Sequence, residues 1–190
     1  MRVARVLLLR HAESTWNALA RWQGWGDPPL SERGREQAQG LAQLLTGAGI
    51  TRLVSSDLVR AAETAAILGR TLGLEPELDP RLRERNLGRW SGLREPEIRA
   101  AFADELVRFR AHDPEVCPGG GESAVAFAAR VMPALEALAA GRGQETVAVV
   151  THLGVIRLFS PGLRLPNAEI FPLDAASLVP SPAPPGSRMR

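Results

Sequence analysis

The sequence predicts an α/β sandwich built on a largely parallel sheet. Three short apolar runs, Val3–Leu9, Ile50–Ser56 and Thr146–His152, have the length and β-branched content of buried strands. Longer stretches with helical spacing of apolar residues separate them, and strands alternating with helices of that length place the helices as crossovers on the sheet faces. Each run also ends in polar residues: Arg10-His11, Ser55-Ser56 and Thr151-His152. Ligands of such sheets lie beyond the carboxyl ends of the strands. The three polar pairs are therefore expected around one crevice.

The elements follow in order. Val3–Leu9 is the first strand, and residues 21–30, rich in Gly, Pro and Trp, form a loop. Ser31 caps a helix whose apolar stripe is Ala38, Leu41, Leu44 and Leu45, with Gly47 and Gly49 ending it. After the strand at 50–56, Asp57 is placed to cap a helix that runs to Leu72 and stops at Gly73. A strand at 74–78 leads into a long polar loop, then a helix over Glu95–Leu106 and a loop containing Cys117. A helix over Glu122–Ala140 is expected to turn Val125, Ala129, Met132, Leu135 and Leu138 inward, with Pro133 bending it. Beyond the strand at 146–152, a short helix near 154–159 and a last strand near 175–179 complete the chain.

With 190 residues, 45% of them hydrophobic, the chain suits one core, and one domain over residues 1–179 is expected, followed by a disordered tail at 180–190. No apolar run approaches the ~20 residues of a membrane helix. The first residues lack a signal-peptide cleavage pattern. One cysteine allows no internal disulfide. A net charge of +2 gives no nucleic-acid footprint. These features predict a cytoplasmic protein without nucleic-acid or membrane partners; a homodimer stays open. The chain has neither lysine nor tyrosine.

Chemistry concentrates at the strand exits. His11 beside the permanent cation Arg10 is biased toward its neutral, nucleophilic form. Arg10 offers a planar fork that suits phosphate. Arg60 falls on the first turn of a helix, near an end that favours anions, although Asp57 or Glu63 could pair it locally. Glu84, between Arg83 and Arg85, could protonate a leaving oxygen or be a solvated surface group. His152 could donate to a phosphoryl oxygen when protonated. Two strand-terminal histidines, His11 and His152, with His112 or Cys117 as third ligand, also suggest zinc, but the spacing matches no metal motif, and no metal or other cofactor is expected. Asn17 and Gln23 could orient a ligand or close turns.

The blocks "LLLRHAESTWNALARWQGWGDPPLSERGREQA", "VSSDLVRAAETA", "LRERNLGRWSG", "PGGGES" and "VVTHLGVIR" together resemble the histidine phosphatase, or phosphoglycerate-mutase-like, superfamily over residues 3–158. The resemblance implies a three-layer α/β/α sandwich with one antiparallel strand. It implies His11 as the histidine that becomes phosphorylated, Arg10, Arg60 and His152 as holders of phosphoryl oxygens, and Glu84 as proton donor. Asn17 matches the asparagine of the first block, Gln23 and Gly24 match a substrate-contacting loop, and Leu153 stands where a small residue is commoner. The expected activity is metal-independent hydrolysis of a small phosphorylated metabolite. Mutase members carry a tyrosine where Leu87 stands, and lysine further on, so phosphatase is favoured over mutase. A non-catalytic phospholigand-binding module is the third reading. The region after His152 looks shortened.

Overall fold

The computed structural model describes residues 4–141, 145–174 and 178. The expected tail at 180–190 and most of the expected strand at 175–179 lie outside them.

Five strands form one sheet in the order β3-β2-β4-β1-β5. They are β1 (Arg5–Arg10), β2 (Arg52–Ser55), β3 (Glu77–Leu78), β4 (Thr146–Thr151) and β5 (Ile170–Leu173). β4 runs parallel to both of its neighbours, with Arg10 beside Thr151 and Ser55 beside Val150. β5 runs antiparallel to β1 at the edge, pairing Leu173 with Val6. β5 is the last strand among the described residues, and its edge position tolerates Pro172.

Alternation along the strands gives each sheet face its own core. Val6, Leu8, Val147 and Val149 pack under α6 (Ala124–Ala139) and α7 (Leu153–Arg157). Leu7, Leu9, Leu53 and Val150 face α2 (Glu32–Leu44) and α3 (Val59–Leu72). The result is the three-layer sandwich that the resemblance implied. A third cluster joins Trp90, Ile98 and Leu106 to Trp22, Phe102 and Phe109 beside the loops.

Local signals explain most boundaries. Ser31 Oγ accepts the Gly34 amide and starts α2, and Gly73, at φ 69°, ends α3 in the left-handed region. Asp57 does not cap α3. Its carboxylate binds Arg83 at 2.5–2.7 Å, and Asp27 Oδ1 accepts the Val59 amide instead. The expected helix at 95–106 is two helices, α4 (Glu95–Ala101) and α5 (Ala103–Arg110). They break at Phe102, whose ring turns to Trp90. The strand expected at 74–78 shrinks to two residues, because Pro76 has no N–H for the ladder. Leu44, Val125 and Ala129 face solvent rather than the core. In α6 the phase is set by Phe127, Val131, Leu135 and Leu138. Alanine and valine lie on every side of that helix, so spacing alone did not fix its rotation.

Candidate functional site

The exits of β1, β2 and β4 are adjacent in the sheet, so their polar pairs meet at its carboxyl end. There a cavity of about 380 Å³ is lined by Arg10, His11, Asn17, Gln23, Gly24, Arg60, Glu84 and Leu153 from the expected set. His152, fully buried, packs with its ring centroid 5.1 Å from that of His11. The nine residues expected to form the phosphate and substrate site are therefore brought together, whereas His112 and Cys117 are not among them. The lining also includes Leu87, at the mutases' tyrosine position, and the structure adds Arg21, Trp22, Gly154 and Arg157.

His11 Nδ1 lies 2.7 Å from the carbonyl oxygen of Ala12. A carbonyl only accepts, so Nδ1 carries the proton and Nε2 keeps its lone pair. Burial first, then the charges of Arg60 and Arg10, holds the His11 pKa well below the usual histidine value. The ring is neutral at pH 7. His152 is held low in the same way, by burial, Arg60 and then His11.

His152 Nε2 lies 2.9 Å from Ser56 Oγ, which also accepts the Leu58 amide at 3.3 Å. The serine hydroxyl can donate to Nε2, the arrangement in which the His152 proton sits on Nδ1. That atom is buried and bonds to no described residue. A neutral His152 then still has an N–H to offer.

Arg60 is 1% exposed, the second residue of α3. It pairs with neither Asp57 nor Glu63. Its two terminal nitrogens donate to the carbonyls of Gly26 (2.9 Å) and Gly24 (2.8 Å), tying the 23–26 loop to the helix. Burial lowers its pKa to about 10, and it remains a cation at neutral pH. Its Nε is buried without a described partner, as is that of Arg10. Arg10 is braced by donating through a terminal nitrogen to the Leu165 carbonyl.

Ser14 orders the first loop. It caps α1 (Thr15–Ala18) by accepting the Asn17 amide, and its own amide donates to Asn17 Oδ1. Its hydroxyl donates to Gln23 Oε1 at 2.7 Å. Asn167 bridges the His11 carbonyl and Asn17 Oδ1 from the far end of the chain.

Glu84 is set by its surroundings. Its oxygens accept the amides of Arg85 (2.8 Å) and Gly154 (3.0 Å). A Cβ on Gly154 would stand 2.0 Å from Glu84 Oε1, so only glycine leaves the carboxylate its place. Arg130 of α6 donates to the carbonyls of Arg81, Arg83 and Glu84 while paired with Glu122 at 2.8 Å. Trp25 Nε1 donates to the same Glu84 carbonyl. The flanking arginines serve structure: Arg83 holds Asp57, and Arg85 donates to the carbonyls of Val116 and Glu122. Cys117 and His112 are exposed.

The comparisons with known proteins agree over most of the chain. The family profile described as histidine phosphatase superfamily (branch 1) matches residues 6–180. A glucosyl-3-phosphoglycerate phosphatase of Mycobacterium tuberculosis is 39% identical over 178 residues, covering 89% of this chain and 79% of the relative. A metal-independent phosphoserine phosphatase of Arabidopsis thaliana is 38% identical over 164 residues, covering 82% and 66%. A mycobacterial glucosyl-3-phosphoglycerate phosphatase solved with VO3 superposes with a TM-score of 0.80 at 36% identity, covering 90% of this chain and 91% of that one.

Proposed function

Because this chain belongs to the histidine phosphatase superfamily (branch 1), we propose that it hydrolyses small phosphate monoesters through a phosphorylated His11. The observation that carries this reading is the His11 tautomer. A neutral ring whose Nδ1–H is held by the Ala12 carbonyl has Nε2 free as nucleophile, among Arg10, Arg60 and His152.

In the first step the Nε2 lone pair attacks phosphorus in line, the bond to the ester oxygen breaks, and Glu84 gives its proton to the departing alkoxide. The Ala12 carbonyl steadies the positive charge that forms on the ring. Arg10, Arg60, Asn17 and the Nδ1–H of His152 hold the three equatorial oxygens. In the second step the Glu84 carboxylate takes a proton from water, the oxygen attacks phosphorus, and the P–N bond breaks to release phosphate. Gln23, Gly24 and Leu153 border the part of the substrate beyond the phosphate. No step calls for a metal. The relatives named for glucosyl-3-phosphoglycerate and phosphoserine support a small phosphorylated metabolite as substrate. No helix among the described residues is long and apolar enough to cross a membrane. A cytoplasmic setting would keep the exposed Cys117 thiol reduced.

Rapid quenching with a radiolabelled phosphate monoester tests the reading. Alkali-stable, acid-labile label on the protein, absent in His11→Ala, is the expected result, with turnover unaffected by chelator. Turnover without such label, or turnover abolished by chelator, would refute it.

A further inference from the structure

The catalytic cavity has a neighbour. A recess of about 360 Å³ is lined by Arg10, Leu153, Arg157, Arg164, Leu165 and Pro166. Arg10, Leu153 and Arg157 line both spaces, so the two adjoin across these side chains.

Charge in this region is unbalanced. Arg10, Arg21, Arg60 and Arg157 line the catalytic cavity against one carboxylate, Glu84, and the recess adds Arg164 with no carboxylate in its lining. None of Arg10, Arg157 and Arg164 forms an ion pair with a described residue. Arg157 donates through Nε to the Leu163 carbonyl at 2.9 Å, which orients the guanidinium and leaves both terminal nitrogens without a described partner. Arg10 is braced from the recess side by Leu165. Like charges repel unless an anion lies between them; burial first lowers the pKa of Arg10, Glu84 raises it, and the charge of Arg157 lowers it again. A phosphate at His11 answers Arg10 and Arg60. It leaves Arg157 and Arg164 unanswered.

We propose that the recess receives a second anionic group of the substrate, a carboxylate or a further phosphate, held by Arg157 and Arg164 while the scissile phosphate sits at His11. The proposal rests on the phosphate position read above. Leu153, Leu165 and Pro166 supply an apolar wall for the carbon skeleton that joins the two groups.

Three substrates separate the cases: glycerol 3-phosphate, 3-phosphoglycerate and propanediol bisphosphate. The enzyme should prefer at least one of the two doubly anionic substrates over glycerol 3-phosphate in kcat/KM, by about tenfold, as charge-assisted hydrogen bonds allow. Preference for 3-phosphoglycerate assigns the recess to a carboxylate, and preference for the bisphosphate assigns it to a phosphate. The preference should shrink as salt rises, because the recess is open to solvent. Arg157→Gln and Arg164→Gln should each cut it severalfold, mainly through KM. Equal kcat/KM for all three substrates, or a preference untouched by salt and by both substitutions, would overturn the proposal. Lack of any turnover, p-nitrophenyl phosphate included, would count against the phosphatase reading instead. Calorimetric binding of the same three compounds would then test the recess by the same discrimination and its loss in Arg157→Gln; indifference among them would overturn it.

Discussion

Ser56 Oγ and His152 Nε2 stand 2.9 Å apart, the serine at the exit of β2 and the histidine at the exit of β4. When the serine hydroxyl donates, the proton of the neutral ring sits on Nδ1. Ser56→Ala should leave Nε2 buried and unpartnered, cost about 1–3 kcal/mol of stability and mix the two tautomers. NMR of the imidazole nitrogens reads the tautomer directly. Turnover should fall by about tenfold, and Ser56→Thr should restore it. An unchanged tautomer and rate in Ser56→Ala would reduce the serine to a turn-closing residue.

Acid should weaken the fold through the same two histidines. Both have folded-state pKa values below the ordinary histidine value, so below about pH 6.5 the unfolded chain binds protons that the folded chain does not. Stability is complete above that pH and is lost as pH falls, by up to about 1.4 kcal/mol per pH unit for each histidine. Urea titrations between pH 7.5 and 5 check the slope (roughly the span in which ordinary histidines charge). A flat profile would mean that His11 and His152 titrate normally.

Glu84→Gln separates leaving-group protonation from phosphate binding. Binding should survive, while turnover of an alkyl phosphate falls by ~10²–10⁴. The loss should be smaller with p-nitrophenyl phosphate, whose leaving group needs little help from an acid. Equal losses would assign Glu84 to activating water in the shared second step. No loss on either substrate would remove it from the chemistry.

Gly154→Ala should imitate Glu84→Gln without touching the carboxylate. The added methyl would stand 2.0 Å from Glu84 Oε1, so the side chain must leave its place. Alkyl phosphate turnover should drop toward that of Glu84→Gln. Thermal stability should hold, because alanine favours helix α7 by about 0.5–1 kcal/mol over glycine. Full activity in Gly154→Ala would mean that the position of Glu84 seen here is not the working one.

How much of this was legible depends on how local each signal is. His11, Ser56 and His152 end apolar runs, and a strand exit is visible in one dimension. Arg130 shows the opposite case. It holds Glu84 through backbone carbonyls more than forty residues away, and with all 23 basic residues being arginine, residue type marks none of them out. Arg157 lies one helical turn beyond Leu153, yet only the fold reveals that it borders two cavities. Gly154 was invisible as a requirement until Glu84 was seen against it. Asp57 misled because a good capping residue also makes a good partner for Arg83, and the ion pair won.

The place of β1 in the sheet bears on how the protein is made. The strand that delivers His11 leaves the ribosome long before both its partners, β4 and β5, which come from residues 146–173. During synthesis it waits, apolar and unpaired, while more than a hundred residues follow. β2 cannot shelter it, since β4 lies between them. Closing so long a loop slows folding, and an exposed apolar strand invites association with other chains in the interval. Nascent chains stalled before residue 146 should therefore depend on chaperones more than chains stalled after 173, and the exit of β1 at His11 should gain its geometry only once β4 and β5 have emerged.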